Sequence, residues 1–232
     1  MPTPSSNHAA LALLRADPDA ALSKFGFLVI PETYLTGTVG GPCLLHCEPL
    51  GGSIFKLVAK PGFGDFYFPY ITTASGFGEC TVPPDQLDGC IVTTGGMNGC
   101  ALQVNRSGKN LHFYHDNNGE GIAKSGITLP GTVVTRINYS DYGGRANLGK
   151  MLADGMAKRT EMVQVTAQYQ YYSLNIHVGG RWRVYYSSIL EKGTHSKKGR
   201  LKGFKMQIYW EKSLEFSAFK PTPSPLLTSF DA

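Results

Sequence analysis

Two residues of this chain combine nucleophilic and acid–base chemistry at a spacing that a β-hairpin would close: Cys100 and His115. The thiolate is the attacking form of cysteine, and a neighbouring imidazolium lowers the thiol pKa well below its free value of about 8.5. The segment Thr93 to Asp116 reads as such a hairpin. With Ser107-Gly108 as a two-residue loop, or Arg106 to Lys109 as a four-residue one, Cys100 falls directly opposite His115, Leu102 opposite Phe113 and Val104 opposite Leu111. Side chains alternate along a strand, so these apolar pairs share a face with the cysteine and the histidine, while His112 faces the other way. Directly opposed residues have Cβ atoms about 4.5–5.5 Å apart, within reach of a thiol–imidazole contact. Gly99 lets the backbone turn sharply and lets a substrate carbonyl approach the amide N–H of Cys100, a candidate oxyanion donor, with Asn98 beside it and Gly95-Gly96 as the approach loop. Asp116 is a third candidate, although alternation points it to the opposite face unless the strand ends there. The competing reading makes Cys100 a small buried hydrophobe and His115 a strand-end residue.

The Gly-Cys that opens a strand, with a histidine fifteen residues later on the returning strand, resembles the catalytic motif of the cytotoxic necrotizing factor deamidases and their relative, Burkholderia lethal factor. The resemblance covers Val92 to Asp116. It implies that Cys100 is the nucleophile, that His115 is its acid–base partner, and that Thr94, six positions before the cysteine, has a functional role. Asn98 stands where that superfamily usually has serine. The implied activity is deamidation of a glutamine side chain in a host protein, a Rho-type GTPase or a translation-initiation helicase, with transglutamination where an amine replaces water. The resemblance implies no cofactor. Another cysteine hydrolase, a protease or an amidase, would use the same pair on a different bond.

Other motifs compete for function. Lys192, Lys197, Lys198, Arg200, Lys202 and Lys205 place six basic residues and no acid in one stretch, more than the chain's whole net charge of +5. That stretch is a solvated loop or a docking patch, with Lys197, Lys198, Arg200 and Lys202 facing an acidic protein, nucleic acid or a membrane surface; on the second reading the protein is a non-enzymatic effector that binds nucleic acid or an acidic partner. Gly144 to Lys150 fits G-x-x-x-x-G-K, but Met151 cannot supply the hydroxyl that holds Mg²⁺, so nucleotide binding is set aside. Cys43, His46, Cys47, Cys80 and Cys90 offer soft ligands without a second closely spaced pair, so buried, reduced thiols are expected rather than zinc. Tyr169, Tyr171, Trp182 and Tyr186 could stack bases but read better as sheet packing.

The elements that must position the Cys–His pair follow from pattern. Residues 1–26 read as an N-terminal helical segment, with Asp17-Pro18 as N-cap and first-turn proline of its second helix. From Phe27, apolar runs (Phe27 to Ile30, Ile54 to Ala59, Phe66 to Ile71) alternate with Gly and Pro clusters, giving strands and long loops. Thr132 to Tyr139 reads as a strand. Ala146, Leu148, Met151, Leu152 and Met156 recur at helical intervals. Val163 to Val178 and Arg181 to Leu190 flank Gly179-Gly180, the composition of a two-residue hairpin turn, and a last strand lies near Phe204 to Trp210. The expected organisation is a catalytic β-sandwich domain at 27–220 followed by a Pro-containing tail at 221–232.

Composition agrees. The chain has 232 residues, 28 of them Gly and 14 Pro, with 17% charged and 42% hydrophobic residues, which excludes disorder, a coiled coil and a long helical bundle. The fold class is therefore α+β: one domain with a β-sandwich core, peripheral helices and long loops. The five cysteines are an odd number, so at least one thiol stays outside any intramolecular disulfide set. No run approaches the roughly 18 apolar residues that span a bilayer. The apolar stretch Ala9 to Leu14 is short and followed by Arg15, Asp17 and Asp19, unlike a signal peptide. For a toxin or effector this implies secretion without a recognisable signal peptide and action in the host cytoplasm.

Overall fold

The computed structural model describes residues 4–32, 39–73, 75–143, 163–202, 205–218 and 226–232, by backbone alone at 163–169, 192–202 and 205–218. Two short helices, α1 (Ala9–Ala16) and α2 (Pro18–Lys24), open the chain. Asp17 ends one and starts the other. Its N–H donates to Leu13 O, and its carboxylate accepts from Ala20 N at 2.9 Å, with Pro18 at the first helical position, as the Asp-Pro pair requires.

The strands β1 (Gly26–Pro31), β2 (Gly41–Gly51), β3 (Ile54–Phe68), β4 (Phe77–Val82), β5 (Ile91–Gly96), β6 (Ala101–Ser107), β7 (Asn110–Asp116), β8 (Thr132–Ile137), β9 (Val163–Val178), β10 (Arg181–Lys202), β11 (Lys205–Ala218) and β12 (Thr228–Asp231) form two sheets. The larger runs β1-β3-β5-β9-β10-β11, with β2 on β3 and β12 on β10; the smaller runs β4-β7-β6-β8. Two short helices, α3 (Gly121–Ser125) and α4 (Tyr139–Tyr142), flank β8.

Period-two alternation sorts the large sheet's side chains into two cores. Phe66, Phe68, Val92, Trp182 and Val184 pack with Leu102, Val104 and Phe113 of the small sheet. Their neighbours Tyr67, Ile91, Leu174, Ile176 and Tyr185 pack with Leu11, Leu14, Ala21 and Leu22 of α1 and α2. The result is an α+β fold of three layers: helices, a mixed sheet and a small antiparallel sheet. Among the described residues no helix is long and apolar enough to cross a membrane.

Several local expectations change. The β9–β10 hairpin turns at Gly179-Gly180 as expected, pairing Val178 with Arg181. The basic stretch is not a loop, however: β10 continues to Lys202 and pairs with β11, with Lys192 opposite Glu215 and Ser196 opposite Glu211 in register. The side chains of Lys197, Lys198, Arg200 and Lys202 lie outside the described residues. So do the helix expected around Ala146 to Met156, the Gly144 to Lys150 motif, and 221–225 of the tail. The rest of that tail contains β12, which pairs with β10 and buries Phe230 in the inter-sheet core. The strand expected to reach Tyr139 stops at Ile137, because Asn138 caps α4 in a reciprocal capping box with Asp141.

The junction of the layers is polar. In β3 the partner of β2 jumps from Asp65 (opposite Cys43) to Lys60 (opposite Leu44), so 61–64 bulge out. Asp65, fully buried, accepts from Leu45 N at 3.1 Å and Ile91 N at 3.0 Å. Arg15 of α1 meets the same carboxylate through both terminal nitrogens, at 2.6 and 2.7 Å, and donates also to Gly89 O at 2.6 Å. A bidentate, fully bonded pair of this kind is strongly coupled, and removing one partner strands the other in a dry interior. Replacing Asp65 by Asn should lower unfolding stability by about 3–5 kcal/mol in urea titrations, a loss that a surface ion pair would not produce.

Candidate active site

The hairpin that carries the site turns one residue later than expected. Ser107 pairs with Asn110, so the loop is Gly108-Lys109, with Gly108 at φ +59° in the first central position, as a type II′ turn demands. His115 is therefore opposite Leu102, and continuing the register past β6 sets Cys100 level with Asn117. The shift is by two residues. An even shift preserves side-chain facing, so Cys100, Leu102, Val104, Leu111 and Phe113 still point into one core, the inter-sheet layer.

Cys100 follows a tight turn. Its N–H donates to Met97 O at 3.3 Å, and Gly99 takes φ +81° at the third position, the type II geometry, with Asn98 exposed at the tip. This corrects one expectation: the Cys100 N–H is engaged by Met97 rather than free for an oxyanion. Another donor is present. The backbone N–H of Asn118, held at φ +51°, faces the thiol. The Tyr142 hydroxyl, donating to the Met97 and Cys100 carbonyls, fixes the turn from α4, and its ring stacks on Tyr186 at 4.1 Å.

The thiol is 1% exposed and lies 3.9 Å from both Asn98 O and Asn117 Oδ1. Asn117 is itself fixed, donating through Nδ2 to Thr73 O at 2.7 Å. His115 is fully buried on β7, opposite Gly78 of β4. Its Nδ1 lies 2.8 Å from Thr94 Oγ1, across the inter-sheet gap on β5. Its ring sits between Phe68 and Tyr70, at centroid distances of 6.4 and 4.9 Å, and its Nε2 is buried without a hydrogen-bond partner.

Electrostatics reverse the expected ion pair. Burial pushes the His115 imidazole down to about 3, so the ring is neutral at pH 7. Burial likewise raises the Cys100 thiol, with the Asn118 N–H opposing the rise and the Asp116 charge adding to it. The resting site thus holds a neutral thiol and a neutral imidazole rather than thiolate and imidazolium. Asp116, the suggested third member, is committed elsewhere: Arg136 donates to Oδ2 at 2.7 Å and Ile122 N to Oδ1 at 2.8 Å.

The remaining candidates fall into packing roles. Tyr171, Trp182 and Tyr186 are buried in the inter-sheet core and present no stacking platform; the side chain of Tyr169 lies outside the described residues. All five cysteines are free and buried. Cys43 and Cys90 lie in the field of the Asp65 carboxylate, and burial drives both thiols far up. Among the described residues no group of three His, Cys, Asp or Glu is arranged to hold a metal ion. A cleft of about 340 Å³ is lined by Pro69, Tyr70, Gly95, Gly96, Gln170 and Tyr172, among others; neither Cys100 nor His115 lines it.

Asn117, Asn118, Tyr142 and Tyr70 were not singled out from the sequence. Only Asn117 had a usable signal: placing Gly108 at the first central turn position sets it level with Cys100.

Two measurements follow. The folded pKa of His115 is depressed from 6.5 to about 3, so the unfolded chain binds the proton first. Its stabilising contribution is complete above pH 6.5 and is lost as pH falls towards 3, at up to about 1.4 kcal/mol per unit. His115→Gln should flatten the acid limb of stability against pH by one proton. Thr94→Val, which leaves Nδ1 unpaired, should cost about 1–3 kcal/mol in the same unfolding assay.

No family model matches the chain, and no curated protein matches it. Among solved structures it is similar to the C-terminal domain of CNFy from Yersinia pseudotuberculosis, at 10% identity and a TM-score of 0.22. The match covers 70% of this chain and 65% of that one. So loose a superposition assigns no chemistry.

Proposed function

We propose that the protein is a toxin-like cysteine hydrolase that deamidates a glutamine side chain of a host protein, with Cys100 as nucleophile and His115 as acid–base partner. The observation that carries this reading is the buried, unpartnered Nε2 of His115, whose opposite nitrogen is tethered by Thr94, in the same inter-sheet layer as the thiol. An unsatisfied polar atom in a dry core is costly, and a catalytic role is one reason to keep it there.

The tautomer that suits a base carries its proton on Nδ1, donated to Thr94 Oγ1, which leaves the Nε2 lone pair free. Because both groups rest neutral, proton transfer accompanies attack. Nε2 takes the thiol proton as sulfur bonds to the carboxamide carbon, and the carbonyl electron pair moves onto oxygen. The Asn118 N–H, already aimed at sulfur, is the donor positioned for that oxyanion. Collapse expels ammonia, which takes its proton from His115, and leaves a thioester. Water then adds its hydroxyl to the acyl carbon with His115 as base, and the proton returns to sulfur as glutamate departs. An amine in place of water gives transglutamination. Asp116 and Arg136 act on this scheme indirectly, by fixing the end of β7 against β8 and α3.

Incubating a host-cell lysate with the protein should convert a specific glutamine to glutamate, a gain of one mass unit read by peptide mass spectrometry. Cys100→Ser should reduce that conversion by about 10³-fold or more while its circular dichroism spectrum stays native. Peptide cleavage instead of conversion would move the assignment to a protease, and undiminished conversion would remove Cys100 as nucleophile.

A further inference from the structure

His115 is fully buried and Cys100 nearly so, yet the proposed chemistry requires a carboxamide to reach both, so something over the pair must move. Among the described residues, an exposed ring lies against the imidazole: Tyr70, 42% exposed, with its ring 4.9 Å from the His115 ring at an interplanar angle of 39°. One side of Tyr70 thus covers the imidazole while the other borders the 340 Å³ cleft. Burial raises the pKa of its phenol, and the nearby Cys100 sulfur adds to the rise.

The backbone around it is fixed at both ends. Pro69 O packs so closely on Gly78 that a Cβ there would lie 1.9 Å away. Downstream, Thr73 O accepts from both Gly76 N, at 2.8 Å, and Asn117 Nδ2. Opening by hinge motion of the segment would break these contacts, whereas rotation of one side chain breaks none of them. Tyr70 itself borders the adjacent cleft, whose volume of about 340 Å³ is what receives a rotated ring.

We propose that Tyr70 is a gating residue: its ring seals the neutral thiol–imidazole pair from water and swings into the glycine-walled cleft to admit a primary carboxamide. This rests on Cys100 being the nucleophile of the proposed deamidation. The gate acts through the bulk of the ring, so the hydroxyl is dispensable and Tyr70→Phe should behave as the native protein. A closed gate with a minor open population of about 0.1–10% limits access in proportion.

The test uses the full chain and iodoacetamide, a small probe bearing a primary carboxamide. Alkylation forms the S–C bond as the C–I bond breaks, releasing iodide and the thiol proton, and needs no deamidase turnover. Rates at each cysteine are read by peptide mapping. Tyr70→Ala should alkylate Cys100 at least about tenfold faster than the native protein, with Cys43, Cys47, Cys80 and Cys90 unchanged and Tyr70→Phe at the native rate. An unchanged Cys100 rate in Tyr70→Ala would overturn the gate, as would a rise at all five cysteines, which would report a loosened fold. Faster alkylation of Cys100 alone, with no glutamine conversion in lysate, would uphold the gate and reject the deamidase reading.

Discussion

The buried Arg15–Asp65 pair is the interaction on which the layered architecture rests. Strand β3 serves β1 along its first half and β5 along its second, and the change of partner is made across a bulge that disturbs the ladder. Asp65 sits at that change and accepts the backbone donors of Leu45 and Ile91. A carboxylate placed there needs a counter-charge, and Arg15 brings α1 with it. One ion pair therefore joins the helical layer, β2, β3 and the start of β5. Three residues beyond Ile91, β5 presents Thr94, so the same junction sets where the histidine's hydrogen-bond partner stands.

The site inherits its chemistry from this arrangement. Thr94 belongs to the large sheet and His115 to the small one, and their hydrogen bond spans the core between them. In such a layer charge is costly, which drives the imidazole and the thiol towards their neutral forms together. Neutrality in the resting state is compatible with general-base catalysis, since the proton moves only when a substrate is in place to accept the sulfur. It also protects the thiol from adventitious oxidation, which requires an accessible thiolate.

What was legible in the sequence is what local pattern encodes. Asp17-Pro18 marked the helix junction, Gly179-Gly180 the long hairpin, and alternation put Cys100 and His115 on one face. That facing survived a misplaced turn because the error was an even number of residues. What was not legible depends on contacts distant in sequence. Nothing near Tyr70 announces a histidine 45 positions later, and nothing near Asp65 announces Arg15. The tail and the basic stretch were misread for a related reason: β12 and the outer half of β10 gain strand pairing from partners, while their own composition suggests a Pro-containing tail and a lysine-rich loop.

The proposed mechanism depends on a neutral His115 that carries its proton on Nδ1 and offers Nε2 to the thiol. Long-range ¹⁵N–¹H NMR of the labelled imidazole reads tautomer and charge together. The expected spectrum is that of a single neutral Nδ1–H form that does not titrate between pH 5 and 8. An imidazolium titrating near 6.5, or a proton resident on Nε2, would contradict it.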